Sequence, residues 1–167
     1  MRSGPRDEAT SPFSKHELEM VLETAQEMTW NRRIHVLHDD DGNYVPGLAT
    51  FNDPTFVSRT VQLLLLTGAP ITALPTWTSK DTLSRERGGL LFTWRTLRTG
   101  AAQSVRVPGG MAAWLAEYLD ATKPKTQAAY FQMLDRLALE VKKKFEVDVP
   151  CPPSRFAHTH RSLKGDE

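Results

Sequence analysis

Leu63-Leu64-Leu65-Leu66-Thr67-Gly68-Ala69-Pro70 is the stretch on which the fold turns. From Phe56 to Leu66 the chain is apolar over most of a helical circumference, the pattern of a helix buried on nearly every side. Gly68 suits the left-handed position that closes such a helix. Pro70 can open a short helix through Leu74, which Pro75 should interrupt. At the other end, Asp53-Pro54 predicts the start of the buried helix, with Asp as cap and Pro at the first helical position.

Upstream, residues 1–11 read as a disordered leader and 12–167 as one domain. Ser14-Lys15-His16-Glu17 has the form of a capping box, and Leu18, Val21, Leu22, Ala25 and Met28 follow at helical spacing. Ile34 to Leu37 and Tyr44 to Phe51 read as extended segments around a turn, because Asp41-Gly42 favours a hairpin. Downstream, Leu90 to Trp94 and Ser104 to Val107 read as strands joined across Gly100, with residues 85–103 ambiguous. A helix is expected from Met111 to Tyr118, then the longest one from Thr126 to Phe145 beyond Pro124. Pro152-Pro153 breaks the chain before a last short helix near Ser154.

Composition narrows the functional classes. At 167 residues the chain suits a single core, and 40% hydrophobic with 25% charged residues is globular usage. No apolar run approaches the roughly 20 residues of a membrane span, and the polar start lacks the apolar segment of a secretory signal, so the expected address is cytoplasmic, with no membrane partner. The lone Cys151 excludes an internal disulfide. A formal net charge of +1 means that any DNA contact must rest on a local basic face.

Three segments carry a resemblance: Leu63 to Pro70, then Arg98-Thr99-Gly100 with Val105-Arg106-Val107-Pro108, and finally Pro152-Pro153-Ser154-Arg155-Phe156-Ala157-His158-Thr159-His160. In order and spacing they resemble the catalytic domain of tyrosine recombinases, the phage-integrase family. That family shows a hydrophobic helix ending in Thr-Gly-Leu-Arg, a hairpin running from Lys-Thr-Gly to Val-Pro-Leu, and a Pro-His-x-Leu-Arg-His-Thr segment. The resemblance spans about Ser11 to Leu163 and implies a mainly α fold with a small antiparallel β-sheet. It implies phosphoryl transfer at a DNA phosphodiester. A tyrosine attacks phosphorus, two arginines clamp the non-bridging oxygens, a hairpin lysine protonates the leaving oxygen, and histidines assist.

Carried over by position, the first arginine falls on Pro70, and the hairpin lysine on Arg98, which can hold a phosphate but donates a proton poorly. The last segment admits two registers. In one, Pro153, Phe156, His158, Thr159, Ser162 and Leu163 match, so Ser154 replaces a histidine and Ala157 an arginine. In the other, His158 and Arg161 form the His-x-x-Arg pair themselves. The resemblance thus implies Arg98, His158 and Arg161 as catalytic positions and Arg98, Arg106, Arg155 and His160 as DNA contacts. The family's nucleophile lies downstream of this motif, whereas Tyr44, Tyr118 and Tyr130 all precede it. The expectation is a degenerate, truncated integrase-like protein of site-specific DNA recombination that binds duplex DNA without cutting it. It would pair with a recombinase or with itself. Two alternatives stand beside it: an active fragment whose tyrosine is supplied elsewhere, and a protein-interaction domain that keeps only the fold.

Other chemistries are poorly supported. Cys151, His158 and His160 lack a fourth ligand at closed-site spacing, and Asp39-Asp40-Asp41-Gly42 lacks the acids that a calcium loop needs. No cofactor or metal is expected. Lys142 to Lys144 read as a solvated helix end, and Trp77, Trp94 and Trp114 as core. Trp30, followed by Asn31-Arg32-Arg33, is the one aromatic with basic neighbours.

Overall fold

The structure is a computed structural model and describes residues 11–35, 48–96, 100–123 and 126–165. The chain is mainly helical, with a small three-stranded antiparallel sheet. The elements in order are α1 (Lys15–Glu27), β1 (Trp30–His35), β2 (Leu48–Asp53), α2 (Phe56–Thr67) and a 3-10 turn (Ile71–Thr76). Next come α3 (Ser79–Thr82), β3 (Leu83–Glu86), β4 (Gly89–Arg95), β5 (Ala102–Arg106), α4 (Gly109–Ala112) and α5 (Leu115–Glu117). A π turn (Tyr118–Thr122), α6 (Gln127–Phe145) and α7 (Pro153–Gly165) complete the chain. No helix is long and apolar enough to cross a membrane among the described residues.

The capping box forms as expected. Ser14 Oγ accepts from the Glu17 N–H at 3.1 Å, and the Ser14 N–H donates to Glu17 Oε1 at 2.9 Å. The buried helix α2 ends at Gly68, which takes the left-handed conformation at φ 65°. Its start differs from expectation. Asp53 remains in β2, paired with Trp30, so Thr55 precedes the helix without a side-chain cap and Phe56 begins it. Pro75 lies inside the 3-10 turn instead of ending it.

β1 and β2 pair antiparallel, and the expected turn from His38 to Asn43 lies outside the described residues. In the larger sheet β4 is central, pairing Leu83 with Phe92 on one side and Phe92 with Val105 on the other. Its buried face presents Phe92 and Trp94 to Trp77, with ring centroids 4.9 and 5.8 Å away. Strand β3 was not expected, because its side chains after Leu83 are exposed and its Ser-Arg-Glu sequence carries no apolar alternation. The helix expected from Met111 to Tyr118 is broken at Trp114, where the backbone leaves helical geometry and the ring packs edge-on against Tyr118.

Helices α1, α2 and α6 enclose the core. Val21, Phe56, Val57, Leu64, Tyr130, Met133, Leu137 and Val141 are almost fully buried. Tyr118 and Thr60 share a buried hydroxyl hydrogen bond of 2.6 Å, so the Tyr118 ring enters the core with its polar end satisfied. The lysines closing α6 hold local ion pairs: Lys142 with Asp148, Lys143 with Glu140, and Lys144 with Glu23 and Glu27 of α1. The Lys144 pairs tie the end of α6 to α1, and the other two are local to that end, in keeping with a solvated terminus.

Candidate functional site

Helix α7 organises the site, and its sides do different work. One side packs on the end of α2. The His160 Nδ1 lies 2.8 Å from the Leu65 carbonyl, and because a carbonyl only accepts, Nδ1 carries the proton. The His160 ring covers Gly68 so closely that a Cβ there would stand 2.5 Å from its Cδ2. Glycine at 68 therefore serves both the left-handed turn and the approach of α7. Beyond His160 a cleft of about 280 Å³ runs to Trp94, Gln103 and Val105, so α7 also faces the strands that lead to and from Gly100.

On another side, Ser154, Ala157 and Arg161 line a groove of about 400 Å³ together with Pro70, Ile71 and Phe131. The groove is mostly apolar, and Phe131 is 45% exposed beside it. Arg161 contributes its cation. Its Nη2 lies 2.7 Å from His158 Nδ1, and since a guanidinium only donates, the neutral His158 ring must carry its proton on Nε2. The two histidines of α7 are thus held in opposite tautomers by their neighbours.

The third side is buried, and it corrects the assignment of Arg155 to DNA. Arg155 is 3% exposed. Its Nε donates to the Ser11 carbonyl, Nη1 to the Pro150 carbonyl, and Nη2 to Pro12 and to the Glu17 carboxylate at 3.0 Å. The guanidinium also stacks over Phe13, 4.3 Å from the ring centroid. Thr159 completes the attachment, accepting from the Phe13 N–H at 2.8 Å. Arg155 fastens the N-terminal segment to α7 and is out of reach of a phosphate. Nearby, burial pushes the Cys151 thiol up to about 12, which leaves it protonated and inert at neutral pH. Among the described residues no three His, Cys, Asp or Glu side chains could hold a metal ion.

Arg98 lies outside the described residues. Arg106, on β5, is exposed. It belongs to a grouping that the segment-by-segment reading overlooked. Between Leu83 and Ala116 stand five arginines and a single glutamate, a local excess of four positive charges in a chain of net +1. Four of them, Arg85, Arg87, Arg95 and Arg106, are exposed and form no ion pair among the described residues. The signal was present as a run of arginines without lysine and with Glu86 as the single acid.

No protein-family model, curated protein or solved structure matches the chain.

Proposed function

We propose that this chain is a tyrosine-recombinase-like protein of DNA recombination that engages duplex DNA without cutting it. One observation carries the reading. Pro70 and Ala157, where the resemblance puts the two clamping arginines, and Ser154, where it puts a histidine, come from segments far apart in sequence and line a single groove. Convergence of those positions is what the recombinase architecture would require, and it favours the register in which Ser154 and Ala157 stand for histidine and arginine.

The same groove argues against strand cleavage. Proline and alanine offer no donor to non-bridging oxygens, and removal of even one such donor typically costs about 10²–10³ in rate. Tyr118 and Tyr130 are fully buried in the core and cannot reach a backbone phosphorus. The arginines of the three-stranded sheet supply the charge for binding, since each neutralised phosphate releases counterions.

A suicide substrate that traps covalent phosphotyrosine should give no adduct, while the same duplex should bind with an affinity that falls steeply with salt. An adduct mapped to any tyrosine of this chain would refute the non-cutting reading; salt-insensitive or absent binding would refute the DNA reading. In that case the apolar lining of the groove, with Phe131 half-exposed at its wall, favours a protein-interaction domain built on the same fold.

A further inference from the structure

The strand register divides the three-stranded sheet into two unlike faces. Side chains of paired residues share a face, and successive residues along a strand alternate between faces. Leu83, Phe92 and Val105 share one side with Trp94, and that side packs on Trp77. The other side carries three rows across β4 and β5: Leu91 with Arg106, Thr93 with Ser104, and Arg95 with Ala102. Arg95, Ala102, Ser104 and Arg106 are exposed, so this face is open. Glu86, at the end of β3, is its one acid, whereas Arg85 pairs with Leu90 and belongs to the opposite side.

Each arginine of the open face is steadied by the turn at its own end of the sheet. Arg95 Nη1 donates to the Gly100 carbonyl at 2.8 Å, and Arg106 Nη1 to the Gly88 carbonyl at 2.5 Å. That engages one of the five N–H donors of each guanidinium among the described residues. Between the two arginines, the Thr93 and Ser104 hydroxyl oxygens lie 2.9 Å apart. One proton joins them, which leaves the second O–H as a donor. Successive rows are two residues apart, about 6.7 Å, an interval close to that between neighbouring phosphates along one strand of a duplex. Arg106, the hydroxyl pair and Arg95 therefore offer donors at three steps of a phosphate backbone.

We propose that this open face lies along one sugar–phosphate strand of duplex DNA. Arg106 and Arg95 hold the outer two of three consecutive phosphates, and the Thr93–Ser104 pair donates to the middle one. The inference rests on the DNA-binding reading above and adds which surface meets the backbone. Planar guanidinium forks suit the outer phosphates, because each can donate two parallel hydrogen bonds to non-bridging oxygens. Contacts of this kind fix the protein's position on the duplex and read no base sequence.

The test is a salt titration of binding to a labelled duplex, followed by fluorescence anisotropy, on the full chain. Arg95→Ala and Arg106→Ala should each reduce the salt slope by about one, and the double variant by about two, equally for unrelated sequences. Arg95→Gln and Arg106→Gln repeat the test with side chains that can still bond the turn carbonyls, and thermal melts establish that each variant is folded. Thr93→Val with Ser104→Ala removes no charge and should weaken binding about threefold to tenfold at an unchanged slope. Arg136→Ala, which removes an exposed cation on α6 bonded to Glu140, should leave the slope unchanged. If the wild-type protein shows no salt-dependent binding, the DNA reading fails and this face with it. If the wild type binds but the Arg95 and Arg106 double variant keeps the full slope, the face is refuted while the DNA reading survives. Unchanged affinity in the hydroxyl variant would refute the three-phosphate fit. A slope lost as fully in Arg85→Ala or Arg136→Ala as in Arg106→Ala would also overturn the proposal, because the effect would then be one of total charge and not of this face.

Discussion

Around Arg155 the chain closes over a cation; around Arg106 it leaves one open. Arg155 meets three backbone carbonyls, a carboxylate and an aromatic face, with Nε, Nη1 and Nη2 all engaged. Arg106 meets one carbonyl, that of Gly88, on the open face of the sheet. The difference is one of what each site lacks. The strap from Ser11 to Phe13 lays two carbonyl oxygens against the buried guanidinium, and a buried cation needs such partners. The β3–β4 turn brings no such demand, so its arginines retain the capacity to bind an external anion. Charge in this molecule is therefore divided by place: cations near the N-terminal segment and along α6 serve the fold, and those on the sheet are available.

The largest effect expected from that division is on stability. Arg155→Ala should cost about 3–5 kcal/mol, since it strands the Glu17 carboxylate and three carbonyls while removing the stack on Phe13. Arg155→Lys should recover little of it, because one ammonium with three donors cannot reach four separated acceptors. Urea denaturation checks both. A loss below about 1 kcal/mol for Arg155→Ala would mean that water replaces the guanidinium easily, and the contrast with Arg106 would disappear.

The sequence made some of this visible and concealed the rest for physical reasons. The end of α2 at Gly68, the capping box at Ser14 and the apolar stripe of α6 are local features, written in adjacent residues, and the structure has all three. Arg155 was misread because a sequence displays its charge and not the carbonyls of residues more than 140 positions away that consume it. Strand β3 was missed because an exposed edge strand need not alternate. The arginine grouping on the sheet was readable in composition, but only the folded chain brings the β3–β4 turn beside Arg106, whose Nη1 donates to the Gly88 carbonyl.

An intermediate effect should appear with pH at Glu17. Partial burial raises its pKa, but the Ser14 N–H and the Arg155 guanidinium outweigh that and hold it below the ordinary glutamate value. A carboxylate with a lowered folded pKa stabilises the protein above its unfolded pKa of roughly 4.5, and that stability is lost as pH falls through the folded value. Glu17→Gln keeps an acceptor for the Ser14 N–H and removes the charge. It should cost about 1 kcal/mol at pH 7, with a smaller cost as the pH drops below roughly 4. Melting curves across that range would show the two proteins converging. Parallel curves would mean that Arg155 does not depend on the Glu17 charge.

The smallest expected effect is the one that decides what Arg106 is for. Arg106→Ala removes one exposed side chain and one hydrogen bond to Gly88, and should change stability by no more than about 0.5 kcal/mol. The absence of a stability cost is what gives meaning to any loss of DNA binding, because a folded variant that binds less has lost a contact and not a structure. The Gly88 carbonyl is solvent-facing at the turn and can take water in place of the guanidinium, so nothing buried is left unpaired. If Arg106→Ala instead melted with a loss above about 1 kcal/mol, Arg106 would be a turn-fastening residue of the same kind as Arg155. A weakened affinity for DNA would then reflect a displaced β3–β4 turn. The two arginines would no longer represent different uses of charge, and contacts to the DNA backbone would have to be sought among Arg85, Arg87 and Arg95.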